Sequence, residues 1–243
     1  MAIQKLKGKI SQINILTPTV NEYIIEVGNE FEFKAGQFVN LSITHNSEIL
    51  RKPYSICSNN TKSNYVTLCI KKVEQGNLTP KLFEKKIGEE VEIMGPLGLF
   101  TLDKLTKQKV VFIGTGTGIA PLKTMIYEIL SKEKFKENDE NTYTNSKEIT
   151  LIFGCRFEDE ILYRKEFEEL EKKHANFKFL PIVSKPSENW TQRTGHVQNN
   201  LDSVNILESQ FYMCGLPIMV EEVTKKLEEL GCKKEDIFHE KFL

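Results

Sequence analysis

Apolar and polar positions alternate along the first hundred residues, with Ile13 and Ile15 two apart and Tyr23, Ile25 and Val27 following in the same period. Period two is the signature of a strand with one buried face. The pattern predicts six strands, at 7–16, 23–27, 36–43, 52–58, 65–73 and 89–94, separated by Gly, Asn and Pro. Short strands at even spacing predict an antiparallel six-stranded β-barrel. One helix interrupts it, with Thr79 as N-cap, Pro80 at the first helical position and Lys86 at its end.

At Gly95-Pro96-Leu97-Gly98 both periodicities break, which marks a boundary. Beyond it, apolar runs at 110–113, 149–153, 177–183, 210–214 and 237–238 alternate with helical spacing at 119–130, 161–174 and 217–230. Gly231 suits the position just past the last helix. Strand–helix alternation predicts an α/β doubly wound parallel sheet. The expected domains are 1–102 and 103–243. The polar stretch 131–147 reads as a solvated loop between the first helix and the second strand.

Composition narrows the classes. Hydrophobic residues make up 40% and charged residues 28% of 243 positions, and the net charge is −1. No broad pull toward nucleic acid or membrane follows from that balance. No run reaches the ~18 apolar residues of a membrane span. The N-terminus carries no apolar core of signal-peptide length. Cys57, Cys69, Cys155, Cys214 and Cys232 are odd in number and include no CxxC pair. That spacing argues against a disulfide framework, a zinc site or an iron–sulfur cluster on this chain, and for a reducing cytoplasm. No metal site is expected.

The candidate chemistry begins at Val110-Val111-Phe112-Ile113-Gly114-Thr115-Gly116-Thr117-Gly118-Ile119-Ala120-Pro121. A buried strand, a glycine turn and a helix in that order make an anion site, because amides at the helix start point outward with the dipole behind them. The glycines let a pyrophosphate approach the backbone. The spacing departs from GxGxxG, since Ile119 stands in the third glycine's place.

Three further stretches fall in order around this turn: Arg51-Lys52-Pro53-Tyr54-Ser55, Gly76-Asn77-Leu78-Thr79 and Cys214-Gly215-Leu216-Pro217-Ile218-Met219-Val220. With a barrel followed by a nucleotide-binding sheet, the four resemble the ferredoxin–NADP reductase superfamily over nearly the whole chain. The resemblance implies an FAD-binding barrel and an NAD(P)-binding α/β domain. In the family's Arg-x-Tyr-Ser the cation binds a flavin phosphate, the Tyr lies on the isoalloxazine and the Ser bonds flavin N5. Tyr54 and Ser55 match; Lys52 holds the Arg place with Arg51 one residue earlier, which leaves open which cation serves. Pro53 lies between, and Cys69, Ile70 and Lys71 fall on the strand that runs along the flavin. Gly76, Asn77, Leu78 and Thr79 correspond to the turn that holds the flavin pyrophosphate, which favours FAD over FMN. Thr117 corresponds to a residue facing the flavin.

By the same resemblance Gly114, Thr115, Gly116 and Gly118 hold the nicotinamide nucleotide. Cys214 stands beside the nicotinamide C4, with Gly215, Pro217 and Met219 forming the next turn. The terminal His239-Glu240-Lys241-Phe242 is similar to a Glu-x-aromatic ending, in which the ring covers the flavin and the carboxylate orients nicotinamide or passes protons. Ser55, Cys214 and Glu240 are thus the catalytic candidates. Ser184, Lys185, Arg193 and Arg156, with His196 nearby, are candidates for a 2′-phosphate site, and they tilt the expectation to NADPH over NADH. The implied activity is hydride transfer from NAD(P)H to FAD and single-electron transfer to a ferredoxin or flavodoxin, or the reverse. The alternatives are an electron-transfer subunit of an oxygenase or other redox complex, and a reductase of free flavin, quinone or iron chelate.

Overall fold

The computed structural model describes residues 2–131 and 147–242. The loop expected at 131–147 falls almost wholly outside them. The chain forms two compact units, Met1–Leu102 with Lys123–Met125, and Asp103–Leu122 with Ile126–Leu243.

The first unit contains β1 (Gln4–Thr17), β2 (Val20–Glu32), β3 (Phe38–His45), β4 (Glu48–Ser55), β5 (Lys62–Lys71), α1 (Thr79–Glu84) and β6 (Glu90–Leu97). The strands form one antiparallel sheet in the order β4-β3-β6-β1-β2-β5. An antiparallel bridge between Ile56, just past β4, and Leu68 on β5 joins the two edges and curls the sheet shut. Alternation sets its core, in which Tyr23, Ile25, Val39, Leu41, Leu68 and Ile93 are fully buried. Burying each such side chain stabilises the fold by roughly 1.5–3 kcal/mol relative to exposure.

Three details differ from the sequence reading. β4 begins at Glu48, earlier than expected, because Asn46 and Ser47 both adopt positive φ (49° and 66°) and make a tight hairpin turn. β6 runs through Gly95-Pro96 to Leu97. Gly95 pairs with Gln4 and Leu97 with Phe38 across a register shift, so the ladder demands no donor from Pro96. The N-cap of α1 is Leu78, without a side-chain bond, and Thr79 is already helical.

The second unit contains β7 (Lys109–Thr115), α2 (Ile119–Ser131), β8 (Glu148–Cys155), α3 (Arg164–Lys173), β9 (Phe177–Val183), β10 (Arg193–Thr194), β11 (Ser209–Gly215), α4 (Pro217–Glu229) and β12 (Ile237–Lys241). All strands are parallel, in the order β10-β9-β8-β7-β11-β12. Every residue of β11 is buried, as an interior strand covered on both faces requires. α3 starts later than the helical spacing from Ile161 suggested, because Tyr163 sits in the left-handed region at φ 56°. The strand order reverses between β7 and β11. In open α/β sheets ligands bind beyond the carboxyl ends of strands at such a point. Among the described residues no helix is long and apolar enough to cross a membrane, and no group of three or more His, Cys, Asp or Glu could hold a metal ion.

Candidate functional site

Two sets of residues stand out, one in each unit. In the first, β4 pairs with β3 so that Ser42 faces Arg51, Leu41 faces Lys52, Val39 faces Tyr54 and Phe38 faces Ser55. Paired residues of an antiparallel ladder share a face. Lys52 and Tyr54 therefore stand together, and Arg51, Pro53 and Ser55 lie on the opposite face. Arg51 Nε donates to Ser42 Oγ at 2.9 Å. Lys52 is exposed and makes no ion pair or hydrogen bond among the described residues. Tyr54 is half-buried against the barrel core. Burial, and then the nearby Tyr23 phenol, push its phenol far above the ordinary 10.0. Ser55 is buried, and its hydroxyl makes no hydrogen bond among the described residues.

Cys69 and Ile70 are buried at the end of β5, with Lys71 exposed beside them. The chain then turns back on itself. Thr79 Oγ1 accepts the Val73 N–H at 2.9 Å and donates to the Val73 carbonyl at 3.2 Å. Within this loop a Cβ on Gly76 would lie 3.1 Å from the Val73 carbonyl oxygen. The backbone amides of Asn77, Leu78 and Thr79 make no hydrogen bond among the described residues. Three amides at a helix start, a solvated Lys and a half-buried Tyr form a donor set suited to a flavin and its pyrophosphate.

In the second unit the set lies at the switch point. Gly116–Gly118 form a tight turn that leads directly into α2. A Cβ on Gly118 would strike the backbone of Cys214 and Gly215, the latter's nitrogen lying 2.8 Å away. Gly215, at φ +154°, is held as closely, since a Cβ there would meet Thr115 Oγ1 and Met219 Cε. These two glycines let the turns after β7 and β11 meet backbone to backbone. Across the sheet Phe153, Gly114, Cys214 and Glu240 pair in one row at the carboxyl ends of four adjacent strands. Pro217 opens α4, and Met219 is buried beneath its first turn. Phe242, half-buried, extends the β12 pairing by donating its N–H to the Gly215 carbonyl at 2.9 Å. Thr117 is half-buried in the turn.

The polar atoms around this row lack protein partners. Thr115 Oγ1 and Glu240 Oε2 are buried with no hydrogen bond among the described residues. Burial raises the Glu240 carboxyl above its ordinary range. Burial, and then the Glu240 charge, raise the fully buried Cys214 thiol well above its ordinary value, so it is neutral at physiological pH. Buried orphan polar atoms around a tight backbone cradle suit a nicotinamide nucleotide. A carboxyl whose folded pKa is raised adds stability below its ordinary value of 4.5, and that stability is lost as pH rises through the folded value. Glu240→Gln is therefore expected to melt a few degrees above wild type at pH 8 and to lose that advantage at pH 4, as read by thermal unfolding.

The remaining candidates lie beyond β8 and β9. The Ser184 N–H bonds the Cys155 carbonyl at 3.0 Å and the Lys185 N–H bonds the Arg156 carbonyl at 2.8 Å, so the two loops stay zipped past the sheet. Arg156 and Lys185 are exposed and make no side-chain ion pair or hydrogen bond among the described residues. Arg193 is committed elsewhere: its guanidinium forks onto Asp202 at 2.7 and 3.3 Å and reaches Asn200 Oδ1 at 3.3 Å. Two of the nearby carboxylates bind backbone amides, and Asp159 between them stays exposed. Glu158 Oε1 takes the Ser187 N–H and hydroxyl, and Glu160 Oε2 takes the Arg156 and Phe157 amides. Two residues the sequence reading passed over are Asp202, whose pairing with Arg193 no local spacing signals, and Gly154. A Cβ on Gly154 would lie 2.7 Å from Val197 and 3.2 Å from Thr115. Its only sequence signal was a glycine at the end of a predicted strand.

Comparison with known proteins adds to this geometry. Residues 7–102 match the model of the oxidoreductase FAD-binding domain, and residues 112–225 that of the oxidoreductase NAD-binding domain. The chain is 30% identical to the phenol hydroxylase P5 protein of Acinetobacter pittii over 99% of its own length, and spans 66% of that protein. It is 30% identical to NADH-cytochrome b5 reductase 1 of Dictyostelium discoideum, over 84% of this chain and 69% of that one. It is 27% identical to ferredoxin–NADP reductase B of Sorangium cellulosum, over 98% of both. Among solved structures, a cytochrome P450 reductase from Amycolatopsis superposes with a TM-score of 0.86 at 25% identity, over 99% of this chain and 70% of that one.

Proposed function

The chain belongs to the ferredoxin–NADP reductase family of FAD- and NAD(P)-binding electron-transfer oxidoreductases, and from that premise we propose that it oxidises NADPH and passes the electrons singly to a ferredoxin or flavodoxin, or runs the reverse. When bound, FAD supplies the step from a two-electron hydride to single electrons. The protein's own part is to bind, align and exclude water.

In this reading Lys52 supplies charge to the flavin phosphate, and the Asn77, Leu78 and Thr79 amides take the pyrophosphate. Tyr54 offers a flat apolar face, and Ser55 keeps a hydroxyl proton free to donate. In the second unit Gly118 and Gly215 admit the nucleotide to the backbone. Cys214 presents a neutral, compact thiol where a charged one would repel a hydride donor's electrons. Thr115 and Glu240 offer the orphan oxygens to which a carboxamide could bond. The observation that carries the reading is the switch-point cradle, two backbones held in contact by glycine beneath two unpartnered polar atoms. Anaerobic titration of the purified protein with NADPH is the test. Bleaching of the flavin bands, followed by their return on adding ferredoxin or flavodoxin, supports it. A protein that holds no flavin after reconstitution overturns it.

NADPH is favoured over NADH because Arg156 and Lys185 stand without partners beside Ser184, while Glu158 and Glu160 are both occupied by backbone amides. Asp159 keeps an exposed carboxylate without a partner among the described residues, and the two cations outnumber it. Arg156→Gln is expected to lower kcat/KM for NADPH about tenfold, the worth of one charge-assisted contact, and to leave NADH within twofold. Equal losses for both nucleotides would remove the preference. A second reading is an electron-transfer component of an oxygenase, favoured by the match to the phenol hydroxylase P5 protein, a third of which lies beyond this chain. Co-elution with a larger partner on gel filtration would favour it. The unpaired thiols of Cys155, Cys214 and Cys232 support a cytoplasmic setting.

A further inference from the structure

The row at the switch point depends on β12, a short strand held from one side. It is five residues long, lies at the sheet edge and pairs only with β11. Edge strands with one neighbour are prone to shift register, and a slip of one residue reverses which side chain meets which face. In the observed register Glu240 pairs with Cys214 and His239 with Met213. A slip would put exposed His239 or Lys241 in the row in place of Glu240.

At the opposite end of the strand stands an ion pair between a half-buried lysine and a buried aspartate. Lys107 Nζ lies 2.7 Å from Asp236 Oδ2, and it also donates to the carbonyls of Leu207 at 2.9 Å and Ser209 at 3.1 Å. Asp236 is 6% exposed and immediately precedes β12. Leu207 and Ser209 lead into β11, and Lys107 leads into β7. The segment before β7 is fixed again by buried Gln210, whose Oε1 accepts the Thr106 and Lys107 amides at 2.7 and 2.9 Å. One ammonium thus ties the starts of the three strands that carry Gly114, Cys214 and Glu240. β12 is also held by its five-residue ladder with β11, by Ile237 against the core, by the stacking of Phe238 on Tyr212 at 4.8 Å, by the Phe242 amide bond and by an exposed Lys241–Glu221 pair. A stacked ring tolerates sliding, and an exposed pair contributes little.

We propose that Lys107 and Asp236 are positioning residues for the nucleotide reaction: their ion pair, with the two carbonyls that Lys107 also holds, fixes the register of β12 and thereby sets Glu240 beside Cys214. The distance is about 13 Å, four residues of strand at ~3.3 Å each. This rests on the reading of the Cys214–Glu240 row as the nicotinamide site.

Two measurements on the full-length, flavin-loaded protein test it. In Asp236→Asn, the rate of flavin reduction per bound flavin at saturating NADPH is expected to fall about tenfold or more, the scale of a small misplacement at a reacting centre. KM should stay within twofold, and Asp236→Glu should recover most of the rate. Hydrogen exchange of the β12 amides should quicken about tenfold, while α2 exchanges as in wild type. A merely structural role lowers the melting temperature but moves neither the rate per bound flavin nor β12 selectively. Unchanged β12 exchange in Asp236→Asn overturns the proposal. If that variant does not fold, Lys107→Arg takes its place, because a planar guanidinium cannot direct donors to all three acceptors from one point. The same thresholds apply. Wild-type protein that no nucleotide reduces would defeat the functional reading, while the exchange comparison would still decide the register.

Discussion

Gly118→Ala is expected to hold its flavin normally and to be reduced by NADPH at least ~100-fold more slowly than wild type. The reason is spatial. The new Cβ has nowhere to go except into the backbone of Cys214 and Gly215, which cannot rotate away as a side chain could. Either the turn after β7 lifts or the end of β11 is pushed outward, and each moves one wall of the nucleotide cradle. Displacements near 1 Å at a reacting centre cost about 100-fold in rate. Stability should suffer less than activity, because the collision lies at the end of the sheet and leaves the Phe211, Met213 and Val223 core intact. Gly116→Ala is the contrast. A Cβ there meets nothing within 4 Å, although φ is +53°, so its cost is local backbone strain alone. Flavin content by absorbance, melting temperature and stopped-flow reduction separate these outcomes. A Gly118→Ala protein reduced at half the wild-type rate would show that the cradle is not where the nucleotide reacts.

The sequence made the framework visible because framework depends on local pattern. Period-two runs and strand–helix alternation follow from burial, and burial is written residue by residue. Phe177–Val183 could be read directly because the apolar run and the strand coincide. The failures have physical causes of another kind. The start of β4 was hidden because Asn46-Ser47 is a weak turn signal, and only the conformation shows both residues at positive φ. Thr79 looked like a cap because threonine commonly caps, whereas here its hydroxyl is spent on Val73. Arg193 looked like an available cation because charge is visible in sequence and pairing is not; Asp202 occupies it through the fold. The same holds for Lys107 and Asp236, 129 positions apart in the chain and 2.7 Å apart in space. Residue type is legible along a chain; which polar groups remain unpartnered is a property of the tertiary structure, and binding uses the unpartnered ones.

That distinction gives different expectations for the two adjacent cations on β4, which residue type alone left open. Lys52→Glu is expected to lose flavin, with a dissociation constant raised ~100-fold or more, whereas Arg51→Glu is expected to retain it. Lys52 shares a face with Tyr54, stays solvated and has no protein partner to give up. Arg51 points to the other face and donates to Ser42. A charge-assisted hydrogen bond contributes about 1.5–3 kcal/mol, and reversing the charge adds repulsion against a phosphate. Together these exceed the ~2.7 kcal/mol that a 100-fold change requires. Arg51→Glu should instead cost some stability, since it removes the partner of a buried serine hydroxyl. The two variants differ by one position and carry the same charge change, so any effect of net charge cancels between them. Equilibrium dialysis of FAD against both, at two salt concentrations, makes the comparison. The Lys52→Glu deficit should shrink as salt screens the repulsion. Equal flavin loss from both variants would mean that the alternation of faces along β4 does not govern where the phosphate sits.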